Sequence, residues 1–198
     1  FILSGSFVHS NFMGTGNRVA AELNGGEYSK VFSLSHTDPY TTIDGVSRTV
    51  SATWRNISQF TSSSSDFETE TGTLGLDYAW PLTEFQSVRM GFAAQRSDLF
   101  TDPNSSSAEA LYWVQNNGNT YTEVQTVGIP PIALTYYGTK FDTFEYSLGW
   151  SFDSRNRALF ADRGARHRVS ASYALPFSDV DFVSFNYDYL QFIPISKW

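Results

Sequence analysis

Apolar and polar residues alternate with a period of two along most of this chain, most cleanly in its second half. Between Thr71 and Trp80 one face reads Gly72, Leu74, Leu76, Tyr78 and Trp80, and the other Thr71, Thr73, Gly75, Asp77 and Ala79. Successive side chains of an extended strand point to opposite sides, so this pattern predicts a strand with one apolar and one polar face. Farther on, Phe144, Tyr146, Leu148, Trp150 and Phe152 alternate with Thr143, Glu145, Ser147, Gly149 and Ser151. Val169, Ala171, Tyr173 and Leu175 then oppose Arg168, Ser170, Ser172 and Ala174, and Val183, Phe185, Tyr187, Tyr189 and Ile193 oppose Ser184, Asn186, Asp188 and Leu190. A looser version sets Val46, Val50, Ala52 and Trp54 against Ser47, Thr49, Ser51, Thr53 and Arg55. Helical periodicity is nearly absent, and no helix is predicted. About nine strands follow, near 2–12, 17–25, 28–37, 46–58, 70–80, 87–98, 141–153, 166–176 and 180–193. Most reach the ~9–11 residues that a tilted strand needs to cross a bilayer, against ~5–6 in an ordinary soluble sheet.

The connections sort into two sets. Short ones near 11–16, 38–45, 81–86 and 153–165 carry turn residues such as Asp38-Pro39 and Asp44-Gly45. They interleave with connections near 24–27, 59–69, 99–140 and 177–179, which include the two longest. Those two hold the run Ser62 to Ser65, the stretch Asn104 to Ser107 and Pro130-Pro131; within the longer one, Tyr112-Trp113-Val114 and Ile132 to Tyr137 are read as an extra hairpin. Long loops on one side and short turns on the other are the polarity of an outer-membrane barrel, with extracellular loops and periplasmic turns. Complete single-chain bacterial barrels have even strand numbers, and an open sheet edge in lipid leaves backbone groups unpaired at several kcal/mol each. The expected fold is therefore all-β, an antiparallel up-and-down transmembrane β-barrel that is incomplete in this chain.

Composition agrees with that reading. The 198 residues include Phe 17, Tyr 11 and Trp 5 with only 17% charged residues, yet the mean hydropathy is −0.27. A soluble domain must hide so much ring surface in one core, whereas a membrane barrel displays it in girdles at both lipid interfaces. Trp54, Leu74, Leu76, Tyr78, Trp80, Phe144, Tyr146, Leu148, Trp150, Tyr173, Phe185 and Tyr187 are accordingly expected to face lipid or form a girdle. A formal net charge of −7 gives no footprint for nucleic acid. The lack of cysteine removes disulfide scaffolds, thiol nucleophiles and cysteine metal sites together. No run approaches the ~18 apolar residues of a membrane helix. The chain begins at Phe1 inside a strand, with neither an initiator Met nor a signal peptide, and is expected to be a piece of something larger.

Sharper sites fail on inspection. Gly14-Thr15-Gly16 invites a dinucleotide loop, but Val19 stands where a third glycine is needed and alternation follows instead of a helix. His9, His36 and His167 fall on different strands without a carboxylate at ligand spacing, and no Gly-x-Ser-x-Gly elbow is present. Asp142 and Glu145 lie on opposite faces of one strand, while Asp179 and Asp181 flank a short loop, so neither is a glycosidase pair. Arg89 lies on a polar face; Arg48 and Arg96 lie on the apolar face near strand ends, where snorkelling lowers their cost. No enzyme, cofactor or metal site is expected. A soluble aromatic-rich sandwich binding carbohydrate is the rival of a different class, and strand length and loop sorting argue against it.

Four stretches in order carry a resemblance. They are Asn11-Phe12-Met13-Gly14-Thr15-Gly16-Asn17; Thr37-Asp38-Pro39-Tyr40 followed by Asp44-Gly45-Val46-Ser47; Trp80-Pro81-Leu82-Thr83-Glu84-Phe85; and the segment 153–166 with Arg157, Phe160 and Gly164. Together they resemble the BamA family of outer-membrane protein assembly factors over nearly the whole chain. Family members often have Phe-Pro where this chain has Phe160-Ala161, which bears only on the rigidity of that turn. The resemblance implies a segment from the second to about the tenth strand of a barrel of about sixteen, in the bacterial outer membrane. It also implies insertion of client β-barrel proteins with accessory lipoproteins, without catalysis. The POTRA domains, the remaining strands, the lateral seam and the sixth-loop motif would lie outside these residues. A related secretion pore or autotransporter-assembly barrel is the alternative within membranes.

Overall fold

A computed structural model describes residues 2–61, 65–101, 107–127, 132–157 and 159–194. Ten strands form one antiparallel sheet: β1 (Leu3–His9), β2 (Arg18–Gly25), β3 (Ser29–Asp38), β4 (Ser47–Thr61), β5 (Ser65–Pro81), β6 (Gln86–Thr101), β7 (Asn119–Val127), β8 (Ile132–Asp153), β9 (Gly164–Ala174) and β10 (Val183–Phe192). Neighbours in sequence are neighbours in space from β1 to β6, β6 then pairs β8, and β8 continues to β9 and β10. Among the described residues the sheet is not closed, and β1 and β10 are its ends. One helix, α1 (Ala108–Asn116), precedes β7, and no described helix is long and apolar enough to cross a membrane.

Register joins the separate alternations into two continuous faces. Leu74 lies opposite Ala52 on β4 and Ala94 on β6; Ala94 in turn lies opposite Phe144 on β8. Farther along, Tyr146 meets Tyr173, and Val183 meets Tyr173 from β10. The apolar positions of successive strands thus share one face, as they must where that face is buried in a nonaqueous medium and a one-residue slip would invert it. The polar face is the crowded one. A Cβ at Gly75 would stand 2.6 Å from Ser51 Oγ, and one at Gly91 2.5 Å from Ser147 Oγ, whereas Gly5 and Gly72 on the apolar face have nothing within 4 Å. Side chains converge on the polar side and splay on the apolar side, which is the geometry of a sheet curled with its polar face inward.

Several sequence expectations are corrected. The segment 59–69, read as a loop, is strand on both sides of residues 62–64, with Ile57 paired to Thr69 and Thr61 to Ser65. Its period was hidden because both faces are polar there: Asn56 Nδ2 donates to Glu68 Oε1 across the hairpin at 2.6 Å. The segment 99–140 likewise contains the end of β6, α1, β7 and the first nine residues of β8. The extra hairpin exists, but its first arm is β7, and Tyr112-Trp113-Val114 belong to α1. Two turns of helix are too short to show a 3.6 period. The local signal is Ser107, whose Oγ accepts from Ala110 N at 3.2 Å as an N-cap. Among the described residues the strand count is ten rather than about nine because of β7. The stretches Ser62 to Ser64, Asn104 to Ser106 and Pro130-Pro131 lie outside the described residues.

Strand β8 organises the tall part of the sheet. β6 pairs it from Tyr137 to Phe152, while its other edge is shared: β9 takes Glu145 to Asp153 and β7 takes Ile132 to Lys140. The gap between them is sealed by the β9–β10 connection. Leu175 N donates to Phe144 O at 2.7 Å and Asp179 N to Asp142 O at 2.8 Å; in return Asp142 N donates to Asp179 Oδ2 at 2.7 Å and Phe144 N to Ser178 Oγ at 2.9 Å. No backbone group of that interval is stranded, as an apolar medium requires.

Candidate functional site

The extended feature of this chain is its apolar face. All twelve residues expected to face outward, Trp54, Leu74, Leu76, Tyr78, Trp80, Phe144, Tyr146, Leu148, Trp150, Tyr173, Phe185 and Tyr187, fall in the same set of register rows. Large apolar side chains there are open rather than packed, with Leu74 64% and Phe185 69% exposed. The described residues hold little conventional core: Val46, Val114 and Ala174 are its buried apolar members. On β8 the outward run from Phe144 to Phe152 covers eight residue steps, ~26 Å of strand at ~3.3 Å each, or ~20 Å of height at the usual barrel tilt.

Rings and charges mark the edges of this band. Near the short turns Tyr78 stacks on Trp80 at 5.8 Å and Trp150 on Phe152 at 6.3 Å, and His167 Nδ1 lies 2.9 Å from Tyr187 Oη. Toward the opposite end, Phe32 and Trp54 meet at 5.4 Å, and Trp54 Nε1 donates to Glu70 Oε1 at 2.8 Å. Arg96, on the apolar face, is neutralised there: its Nε and Nη2 donate to the two Asp142 oxygens at 2.7 and 2.6 Å. The sequence reading found Arg96 but not its partner, which lies 46 positions away and becomes visible only through the β6–β8 register. Arg48 has a buried Nε without a partner among the described residues.

The band is not uniform in height. On β5 and β8 five successive outward positions are free of charge, Gly72 to Trp80 and Phe144 to Phe152. On β3 Phe32 and Leu34 stand between Lys30 and His36, and on β4 Val50, Ala52 and Trp54 stand between Arg48 and Asn56. The apolar run falls from ~26 Å on β5 and β8 to ~13 Å or less on β3 and β4, where polar or charged residues flank it.

The turn residues cluster at the other ends of the strands. Gly14, Gly16 and Gly45 each have φ +78° and Gly164 +104°, conformations that side chains resist. Gly16 N donates to Asn11 Oδ1 at 2.7 Å. Asp38 closes β3, its Oδ1 accepting from Tyr40 N at 3.1 Å across Pro39, and the turn is completed by Gly45 N to Thr42 O at 3.1 Å, beside Asp44. In the β8–β9 connection Phe160 is 92% exposed with φ 53°, and Arg157 is exposed. Asp153 and Arg155 pair at 2.7 Å, and the hydrogen bond from Arg155 holds the Asp153 carboxyl below its usual range. These residues lie in three separate turns at one end of the sheet.

Above the band, β7 leans over the end of β6. The Tyr121 ring crosses Gly138, its hydroxyl donates to Asp98 Oδ1 at 2.8 Å, and Lys140 Nζ lies 5.2 Å from the ring centroid. Burial, and then the Asp98 hydrogen bond, push the Tyr121 phenol above its ordinary value. On the polar side α1 is anchored by fully buried Val114, by Trp113 edge-on to Phe141 at 5.6 Å and by Thr139 Oγ1 bonded to Asn117 O. Among the described residues no group of three or more His, Asp or Glu is placed to hold a metal.

Comparisons with known proteins show the family and support the fold. The model of the Omp85 superfamily domain matches residues 11–198. The outer membrane protein assembly factor BamA of Neisseria meningitidis serogroup B is 28% identical over 199 residues, covering 99% of this chain and 23% of that protein. This chain therefore spans about a quarter of that relative's length. The crystal structure of BamA from Haemophilus ducreyi lacking POTRA domains 1–3 superimposes with a TM-score of 0.76 at 19% identity, over 98% of this chain and 35% of that one.

Proposed function

Since the chain belongs to the Omp85 superfamily, we propose that it is the wall of an outer-membrane assembly barrel, part of a factor that inserts β-barrel proteins into the bacterial outer membrane. The observation that carries this reading is the continuous apolar face, held in one register over nine strands and edged by rings and charges. Such a face has no aqueous use at this size; lipid covers it. Trp54, Tyr78, Trp80, Trp150 and Tyr187 form interfacial girdles, and Leu74, Leu76, Phe144, Tyr146, Leu148, Tyr173 and Phe185 the lipid-facing wall. Gly14, Gly16, Asp38-Pro39, Asp44-Gly45 and the Arg157, Phe160 and Gly164 segment are periplasmic turns, and the β7–β8 hairpin stands on the cell surface. The domain reading is a partial barrel throughout, with POTRA domains and further strands supplied by the rest of the protein.

The role is mechanical, not chemical. Where the apolar band shortens on β3 and β4, the bilayer must thin locally to keep Lys30, His36 and Arg48 wet. A thinned membrane lowers the barrier for a client strand to enter. Edge strands of the complete barrel would template that client by β-augmentation, and accessory lipoproteins would bind outside this chain. The test is client folding in proteoliposomes made with the full-length protein. Lengthening the band with Lys30→Leu and His36→Leu should slow the appearance of folded, protease-resistant client several-fold. An unchanged rate with the full-length wild type and variant equally folded would refute the thinning role, and no acceleration by the wild type over empty liposomes would refute the assembly reading itself.

A further inference from the structure

On the polar face, near the short-turn end, β6, β8 and β9 form a niche of about 320 Å³ whose lining includes Ser87, Arg89, Gly149, Ser151, Arg168 and Ser170, with Trp150 and Val169. Register explains its shape. Arg89 lies opposite Gly149, which lies opposite Ser170, so the middle of that row has no side chain. One row toward the turns, Ser87 lies opposite Ser151 and Ser151 opposite Arg168. Two guanidinium groups therefore rise on either side of a glycine floor, with hydroxyls between them; Ser87 Oγ and Ser151 Oγ are 2.8 Å apart.

Charge in this region is not balanced. Four arginines, Arg89, Arg155, Arg166 and Arg168, share the lower polar wall and its adjoining turn. Arg155 pairs with Asp153 at 2.7 Å and Arg166 with Asp188 at 3.1 Å. Asp188 is also the direct cross-strand neighbour of Arg168, yet it is engaged by Arg166. Asp77 lies opposite Gly91, one row farther from the turns, and makes no ion pair with Arg89. Among the described residues Arg89 and Arg168 therefore have neither a hydrogen bond nor an ion pair. Two unpaired cations facing one small concavity repel each other unless an anion lies between them.

We propose that this niche binds a phosphate group. A carboxylate presents two oxygens in one plane, which a single guanidinium fork matches edge to edge. Two forks approaching from opposite sides, with serine hydroxyls on the floor, call for an acceptor whose oxygens point in several directions, and a tetrahedral phosphate meets that need. The volume is at the small end of ligand sites, suited to inorganic phosphate or to the phosphate of a glycerolipid headgroup reaching the barrel interior. The inference goes beyond the assembly role and does not depend on it.

The experiment uses the full-length protein folded in a phosphate-free, non-ionic detergent. Inorganic phosphate and sn-glycerol 3-phosphate are titrated separately, followed by ³¹P line broadening and by calorimetry. Wild type should bind saturably; Arg89→Gln or Arg168→Gln should each weaken binding by about tenfold or more, and the double variant should abolish it, since each removes a charge-assisted fork. Ser170→Ala should weaken binding by a smaller factor, and Arg163→Gln, on the exposed turn, should leave it unchanged. Tighter binding of glycerol 3-phosphate assigns the headgroup as ligand, and equal or weaker binding assigns free phosphate. Absence of saturable binding to the folded wild type, or an unaltered affinity in the folded double variant, overturns the proposal.

Discussion

Leu148 offers the most direct test of which face meets lipid. It is the central member of the outward run Phe144 to Phe152 on β8 and is 46% exposed. Four residues separate it from each end of the run, ~13 Å of strand at ~3.3 Å per residue, or ~10 Å of depth at the usual 35–45° tilt. At that depth an arginine costs about 2–4 kcal/mol in a membrane barrel, falling to about 0–1 kcal/mol at the interfaces. Leu148→Arg in the full-length protein should therefore lower folding stability by about 2–4 kcal/mol. Asn186→Arg is the matched control. Asn186 lies opposite Ser170 on the polar face, one row from the row of Leu148, and an arginine there should change stability by less than about 1 kcal/mol. Reversible urea titration of folding into short-chain phosphatidylcholine vesicles, read by tryptophan fluorescence, measures both. Equal costs for the two variants, or a larger cost for Asn186→Arg, would refute the assignment of faces.

Three further outcomes follow from local geometry. Gly164 combines φ +104° with a Cβ direction that runs into Ser154 O; Gly164→Ala should destabilise the protein by about 2–3 kcal/mol, visible in the same urea titration. Gly138 lies beneath the Tyr121 ring, so Gly138→Ala should displace the ring and raise amide exchange in β7 while leaving β9 and β10 unchanged. Tyr121 has a raised pKa, so its contribution to the β7–β8 hairpin is complete below the ordinary phenol value of about 10 and is lost as pH rises through the higher folded value. Tyrosinate absorbance at 295 nm should show one late-titrating phenol that disappears in Tyr121→Phe; titration of every phenol near pH 10 would contradict the part-buried hydrogen bond to Asp98.

Legibility in the sequence followed the contrast between faces. Strands β5, β8, β9 and β10 were readable where leucines and rings alternate with serines, because the two sides of the sheet meet different solvents there. The same strands became unreadable above the band, at Glu68 and Glu70 or at Thr139 and Lys140, where polar residues occupy both faces and alternation carries no information. The helix α1 was missed because two turns supply too few apolar positions for a period, and only Ser107 marks its start. Positive φ at Gly14, Gly16, Gly45 and Gly164 accompanies turn residues that stood out by type alone. The pairings that balance charge, Arg96 with Asp142 and Arg166 with Asp188, depend on register between strands and have no local signature. The arginine niche escaped notice for the same reason, since Arg89 and Arg168 are 79 positions apart and meet only across β8.

The route by which β6 reaches β8 also sets an order of events in folding. From β1 to β6, and again from β7 to β10, each strand joins its neighbour through a brief connection, so those pairings close small loops and form early. β6 and β8 are different: Thr101 and Ile132 are separated by a segment that includes α1 and β7, and the pair Gln86 and Phe152 closes the widest loop in the sheet. On loop length alone the chain is expected to fold as two meanders, β1–β6 and β7–β10, that zip together late. The registry between them is the one pairing that turn chemistry does not dictate, and it is left to the facing rows of Met90 with Leu148, Phe92 with Tyr146, and Arg96 with Asp142.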